Sequence, residues 1–190
     1  MIALSPKGRI LFRSIGLVVA ALTFAAVTIQ VSAQGRGALE ADAKRAYANL
    51  VATIPGAKAL GKDAVAVLVF PKITKAGFVV GGQSGDGVLL KSDKVAGYYN
   101  TSGVSYGLQA GAEQFGYAMF FMNQQSLMAL TEADGFEVGV GPSVVVVDEG
   151  TAKTLTTVTA QKDIYAFVFG QKGLMAGVGL QGNKITKLAN

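Results

Sequence analysis

The sequence predicts an α+β domain in which N-terminal helices pack on a curved, mainly antiparallel, glycine-rich β-sheet or small barrel. Two observations predict it. One stretch with a helical apolar period, Ala38 to Thr53, comes early, and from Val65 to Lys187 the chain becomes a series of short apolar runs separated by glycine and polar turns. Glycine also recurs inside those runs, at Gly77, Gly107, Gly111, Gly116, Gly139, Gly177 and Gly179. In strands this marks bulges, sharp bends or close backbone approach. No linker, low-complexity tract or tandem repeat points to a second domain.

Residues 1–33 read as a secretory signal peptide. Lys7, Arg9 and Arg13 precede the uncharged apolar stretch Ile15 to Val31, and Val31-Ser32-Ala33 forms a small-x-Ala cleavage site. The apolar stretch sits at the lower edge of what spans a bilayer, which disfavours an uncleaved anchor. The expected mature chain, residues 34–190, forms a single domain.

In the helix, Leu39, Ala43, Ala46, Tyr47 and Leu50 share one stripe, and charged residues take much of the rest. Pro55-Gly56 breaks it, and a short helical turn over Ala57 to Gly61 is expected next. Val65 to Phe70 is apolar throughout and reads as a strand buried on both faces. Ser84-Gly85-Asp86 reads as a hairpin connection between strands Gly77 to Gln83 and Gly87 to Lys91. After the polar turn Ser92-Asp93-Lys94 come strands at Val95 to Thr101 and Leu108 to Met122, then a brief helix over Gln124 to Leu130. Five further strands are expected at Phe136 to Val140, Ser143 to Val147, Ala152 to Thr159, Ile164 to Phe169 and Leu174 to Leu180. An outer-membrane barrel would need apolar/polar alternation over about ten residues per strand. Ala66 to Phe70 and Val144 to Val147 lack it.

Composition narrows the function. The whole chain carries 17 Lys+Arg against 12 Asp+Glu; without the three basic residues of the leader the balance falls to net +2. A global basic field for nucleic acid is therefore not expected. With no cysteine, neither a lipoprotein acylation site nor a disulfide is available, so an exported chain is held by its core alone. With neither His nor Cys, no Ser-His or Cys-His pair and none of the usual zinc ligand sets can be assembled. A non-enzymatic protein without metal or cofactor is expected.

Three motifs fail on context. Gly103-Val-Ser105-Tyr-Gly107 spells a nucleophile elbow, but no histidine exists to take the serine proton. Gly177-Val-Gly-Leu-Gln-Gly182 spells a dinucleotide fingerprint, but only eight residues follow and none is acidic. Gly81 to Leu89 approaches a calcium-binding nonapeptide, yet such repeats bind calcium between stacked copies and there is one copy. The close carboxylate pairs, Asp148/Glu149 and Glu132/Asp134, read as solvated turns.

The lysines are more informative. Lys72 and Lys75 flank Ile73-Thr74 after the first strand, Lys91 and Lys94 bracket a turn, and Lys172, Lys184 and Lys187 surround the last strand. If those turns converge, they form a basic patch beside apolar tips such as Ile73, Phe78 and Leu174, suited to a lipid head group and acyl chain. The alternative is a set of scattered solubilising lysines.

Two segments, Phe70-Pro-Lys-Ile-Thr-Lys-Ala-Gly77 and Gly170-Gln-Lys-Gly-Leu-Met-Ala-Gly177, with the glycine-punctuated runs between them, resemble the SYLF family. These are lipid-binding domains, also labelled actin-binding after yeast members, and the resemblance spans roughly residues 40–188. It implies a lipid or anionic membrane surface as partner and favours the lysine patch. The expected protein is an exported lipid- or phospholipid-binding component of the bacterial envelope, periplasmic or extracellular, with actin an unlikely partner there. The alternative is an envelope structural or protein-interaction module without a lipid ligand.

Overall fold

The computed structural model describes residues 35–132, 135–147, 162–172, 180 and 182–189. The leader, the expected strand at 152–159 and nearly all of that at 174–180 lie outside them, as does Leu174. The chain divides into Met1–Ala38 and Leu39–Asn190. Of the first unit, only 35–38, the opening turn of helix α1 (35–53), is described.

Within the second unit α1 continues to residue 53, and α2 (Pro55–Asp63) follows at once. Proline's missing N–H and fixed φ suit the first turn of a helix, so Pro55 starts the second helix as well as ending the first. Ala43 and Leu50 of α1 and Ala57 and Leu60 of α2 are buried against Val67, Val69, Ala118, Phe120 and Phe167 of the sheet. The helical stripe read from the sequence is the stripe that packs.

The sheet has six strands among the described residues: β1 (Ala66–Lys91), β2 (Lys94–Phe121), β3 (Phe136–Glu137), β4 (Val144–Val147), β5 (Ile164–Lys172) and β6 (Lys184–Lys187). Helix α3 (Gln124–Thr131) follows β2, its first turn capped by the Asn123 side chain on the Ser126 N–H. The path runs β3-β6-β2-β5-β4, with β1 also paired to β2. All pairings are antiparallel except β4 with β5, so the expected α+β class and mainly antiparallel sheet hold.

The segmentation is where sequence and structure part. Ser84-Gly85-Asp86 is not a turn: the β1–β2 ladder runs through it, pairing Ser84 with Ser102 and Asp86 with Asn100. Three expected strands merge into 26-residue β1 and two into 28-residue β2. Their hairpin turns at Ser92-Asp93, both with positive φ (48° and 62°), as two-residue turns between twisted strands require. Three register shifts let the long ribbon bend. It bends far enough for Gly85 to lie against the Lys72 carbonyl and Gly87 against the Phe70 ring. The inner layer thus formed holds Leu68, Phe70, Ile73, Tyr99, Phe115, Tyr117, Met119 and Phe121. β6 was not foreseen: Lys-Ile-Thr-Lys is too short and polar to announce a strand, and its only buried residue is Ile185. The strand expected over Phe136 to Val140 shrinks to two residues. Among the described residues no helix is long and apolar enough to cross a membrane.

Candidate functional site

Helix α1 reaches the sheet through one stripe, and its flank beside that stripe stands over the sheet without closing on it. The result is a cleft of about 670 Å³, within the range of roughly 300–1,000 Å³ typical of small-molecule sites. One wall is Asp42, Arg45, Ala46, Asn49, Leu50 and Thr53 of α1, with Ile54 of the α1–α2 junction. The other side comes from Pro71 and Lys72 of β1, Gln114 to Gly116 of β2, Val147 of β4 and Phe167 to Gly170 of β5.

Each wall follows from local structure. Along α1, residues 42, 45, 46, 49 and 53 recur at helical spacing on one flank. The β1 wall lies at the register shift between Phe70 and Ile73, where Pro71 has no N–H to contribute to a ladder. On β5, Phe169 and Val168 remain only partly buried, while Phe167 on the same strand is fully committed to the core. The floor is therefore aliphatic and aromatic, and the charges stand at the rim. Arg45 lies 3.4 Å from Asp42, an exposed ion pair worth little in water. Lys72 is exposed. The rim carries two cations against one carboxylate.

The lysines of the expected patch are borne by β1, the β1–β2 hairpin, β5 and β6. Lys91 and Lys94 face each other across the hairpin turn, as their bracketing of a polar turn implied. Lys72 joins the cleft with Arg45. Lys75 is not on a turn: it sits in β1 directly opposite Glu113. Glu113 is itself 2% exposed, and neither of its carboxylate oxygens has a hydrogen-bond partner. Lys184 and Lys187 are exposed at the two ends of β6, and Lys172 ends β5. Ile73 is a correction: it is fully buried in the inner layer and is no exposed tip. The bend of β1 turns it inward against Phe115. The side chains of Phe78 and Lys172 lie outside the described ones, as does Leu174. Arg45, Ala46, Pro71 and Phe169 were missed, although Arg45 and Asn49 flank the α1 stripe and that adjacency was the available signal.

A second, polar cleft of about 450 Å³ lies among Gln125, Ser126, Ala129, Gly141, Pro142 and Asp163. Asp163 fastens three elements there. Its carboxylate accepts from the Ser143 N–H (3.0 Å), the Ser143 hydroxyl (2.9 Å) and the Asn123 amide (3.0 Å). The Ser143 N–H first, and then the two side-chain donors, hold its acid constant below the ordinary value. These three bonds tie the starts of α3, β4 and β5 together, so this cleft reads as architecture. The Ser105 side chain lies outside the described ones. Among the described residues no three His, Cys, Asp or Glu side chains are grouped to hold a metal ion.

Of the cleft, β2, β4 and β5 belong to the part of the chain that known families cover, whereas α1 and β1 precede it. No curated protein matches the chain. Residues 102–190 match the Ysc84 family, described as Las17-binding protein actin regulator. That match covers the latter part of β2 through β6, the segment over which the chain is similar to the Ysc84, or SYLF, family.

Proposed function

We propose that this chain is a non-enzymatic lipid-binding protein of the bacterial envelope, exported by a leader over residues 1–33 and acting as a single domain over 34–190. The observation that carries the reading is the cleft, with an apolar floor of Ala46, Leu50, Ile54, Pro71, Val168 and Phe169 and with Arg45 and Lys72 at its rim. This is the pattern an anionic amphiphile matches: a chain for the floor and a negative head for the rim. Each methylene transferred from water gains about 0.8 kcal/mol, so the chain supplies most of the affinity. The cations then select the sign of the head group.

The family description names actin regulation, but a concave apolar cleft of this size suits a small molecule better than a protein surface. Lipid is therefore taken as the ligand class here.

The test is displacement of a fluorescent fatty-acid probe from the chain by single-chain amphiphiles with anionic, zwitterionic and cationic heads. The reading expects saturable probe binding, with anionic heads displacing best. Absence of saturable binding would sink it. Equal displacement by all three heads would retain the apolar cleft and remove Arg45 and Lys72 from recognition.

A further inference from the structure

We infer that the inner face of the bent β1–β2 ribbon holds a second ligand site, in which Glu113 and Lys75 take the ammonium and the carboxylate of a free α-amino acid. The ladder register places it. Three successive pairs share one face: Ile73 with Phe115, Lys75 with Glu113, and Gly77 with Gly111. Ile73 and Phe115 are buried in the inner layer, so this is the face turned away from α1. The glycine pair adds no side chain to the face, and Gly77 is exposed. The charged pair therefore stands between an apolar wall and an exposed glycine step.

Glu113 differs from the other buried polar side chains. Among the described residues those are Gln83, Thr101, Ser126 and Asn183, and each makes a side-chain hydrogen bond. Glu113 is 2% exposed, and neither of its carboxylate oxygens has a partner. A buried carboxylate has given up its bonds to water, and only donors that replace them restore the loss. Lys75 is the cation directly opposite in register, and it is partly buried. No ion pair joins the two, since the one ion pair among the described residues is Arg45–Asp42.

Directly opposed residues have β-carbons about 4.5–5.5 Å apart, so two opposite charges lie within reach of one small molecule without closing on each other. A lone ammonium compound would be repelled by Lys75, and a lone carboxylate by Glu113. A ligand carrying one of each is matched to both. A free α-amino acid holds the two groups on one carbon, short enough to span a single cross-strand pair, and its side chain would lie over the Gly77 and Gly111 step. The site is across the sheet from the α1 cleft and does not rest on the lipid reading.

The experiment is isothermal titration calorimetry of the full chain with glycine, L-alanine and L-leucine, on wild type, E113Q and K75M. Ethylammonium and propionate serve as single-charge controls. Wild type should bind at least one amino acid saturably and neither control. E113Q and K75M should each weaken that binding about tenfold or more, through loss of one charge-assisted hydrogen bond. Thermal midpoints of the ligand-free proteins separate recognition from a structural role. A carboxylate held for a ligand leaves ligand-free E113Q at least as stable as wild type, because the change removes a buried charge that nothing satisfies. A carboxylate bridged to Lys75 by water gives a destabilised E113Q instead. That result overturns the site, as does wild type that binds none of the amino acids or E113Q that binds as wild type does. Fatty-acid probe uptake by the α1 cleft should be the same in all three proteins, so the two sites fail or hold separately.

Discussion

Tyr117 donates a 2.9 Å hydrogen bond to the hydroxyl of Thr101, sixteen residues earlier on the same strand, and both side chains are fully buried. One strand can bond to itself over that separation only if it folds across its own path. Nearby in the sheet, Gln83 donates to Asn183 at 2.7 Å, also buried, and ties β1 to the turn before β6. These polar contacts fix the bend that apolar packing alone would leave free to slide. Burial of the Tyr117 phenol pushes its acid constant well above the ordinary range, so it stays a neutral donor at any physiological pH.

Thr101→Val should therefore cost about 1–3 kcal/mol, because it leaves a buried hydroxyl without its acceptor. Tyr117→Phe together with Thr101→Val should cost less than the sum of the two single changes. Urea unfolding of the two single variants and the double checks this; strict additivity would mean the bond does not couple the two halves of β2.

The crossing also predicts a sharp contrast between two glycines of β1. A β-carbon on Gly87 would lie 2.5 Å from Cδ1 of Phe70 and 2.8 Å from the Val69 carbonyl oxygen. Gly82 has open space around it. Gly87→Val should destabilise by about 1–3 kcal/mol or more, since backbone cannot yield as a side-chain tip does. Gly82→Ala should stay within about 0.5 kcal/mol of wild type. Thermal midpoints of the two variants decide.

Much of this was legible from the chain. The α1 stripe of Ala43, Ala46, Tyr47 and Leu50 followed from its period, and the Ser92-Asp93 turn from its composition. The Ser84-Gly85-Asp86 segment misled because turn-forming residues stand where the strand must pass close to Lys72 and Ile73. Small residues serve both purposes, and only tertiary contact separates them. Ile73 misled for a related reason: a short polar-flanked segment looks like a loop tip unless one knows that the strand bends it inward. The cleft was illegible because its walls lie about 120 residues apart in sequence, Asn49 on α1 and Phe169 on β5. A periodicity names the face of each element but not its partner.

The hydrogen bonds of Asp163 make part of the fold's stability depend on pH in the acid range. They hold its folded acid constant below the unfolded value, which is about 3.9 for an aspartate. The stabilisation is thus fully present above that unfolded value and is lost as pH falls through the folded one. Asp163→Asn should be less stable than wild type at neutral pH, with the gap closing below about pH 4. Chemical denaturation at neutral pH and at pH near 3 measures it, and a gap independent of pH would contradict the assignment.

Filling the cleft should abolish ligand uptake without unfolding the protein. Ala46 is partly buried on the α1 wall, so Ala46→Trp places an indole where the chain would lie. Probe binding should disappear while the far-ultraviolet spectrum is unchanged. Arg45→Ala and Lys72→Ala should each weaken anionic amphiphiles roughly fivefold and leave neutral ones unaffected.

The central claim, that an apolar chain enters the cleft between α1 and β5, can be read directly because the protein contains no tryptophan. Phe169→Trp would place a single indole on the cleft floor. Its fluorescence should be quenched saturably by an anionic amphiphile carrying a nitroxide on its acyl chain, and unlabelled amphiphile should reverse the quenching. Amphiphile binding that leaves the indole unquenched would contradict the account, since the chain would then lie elsewhere.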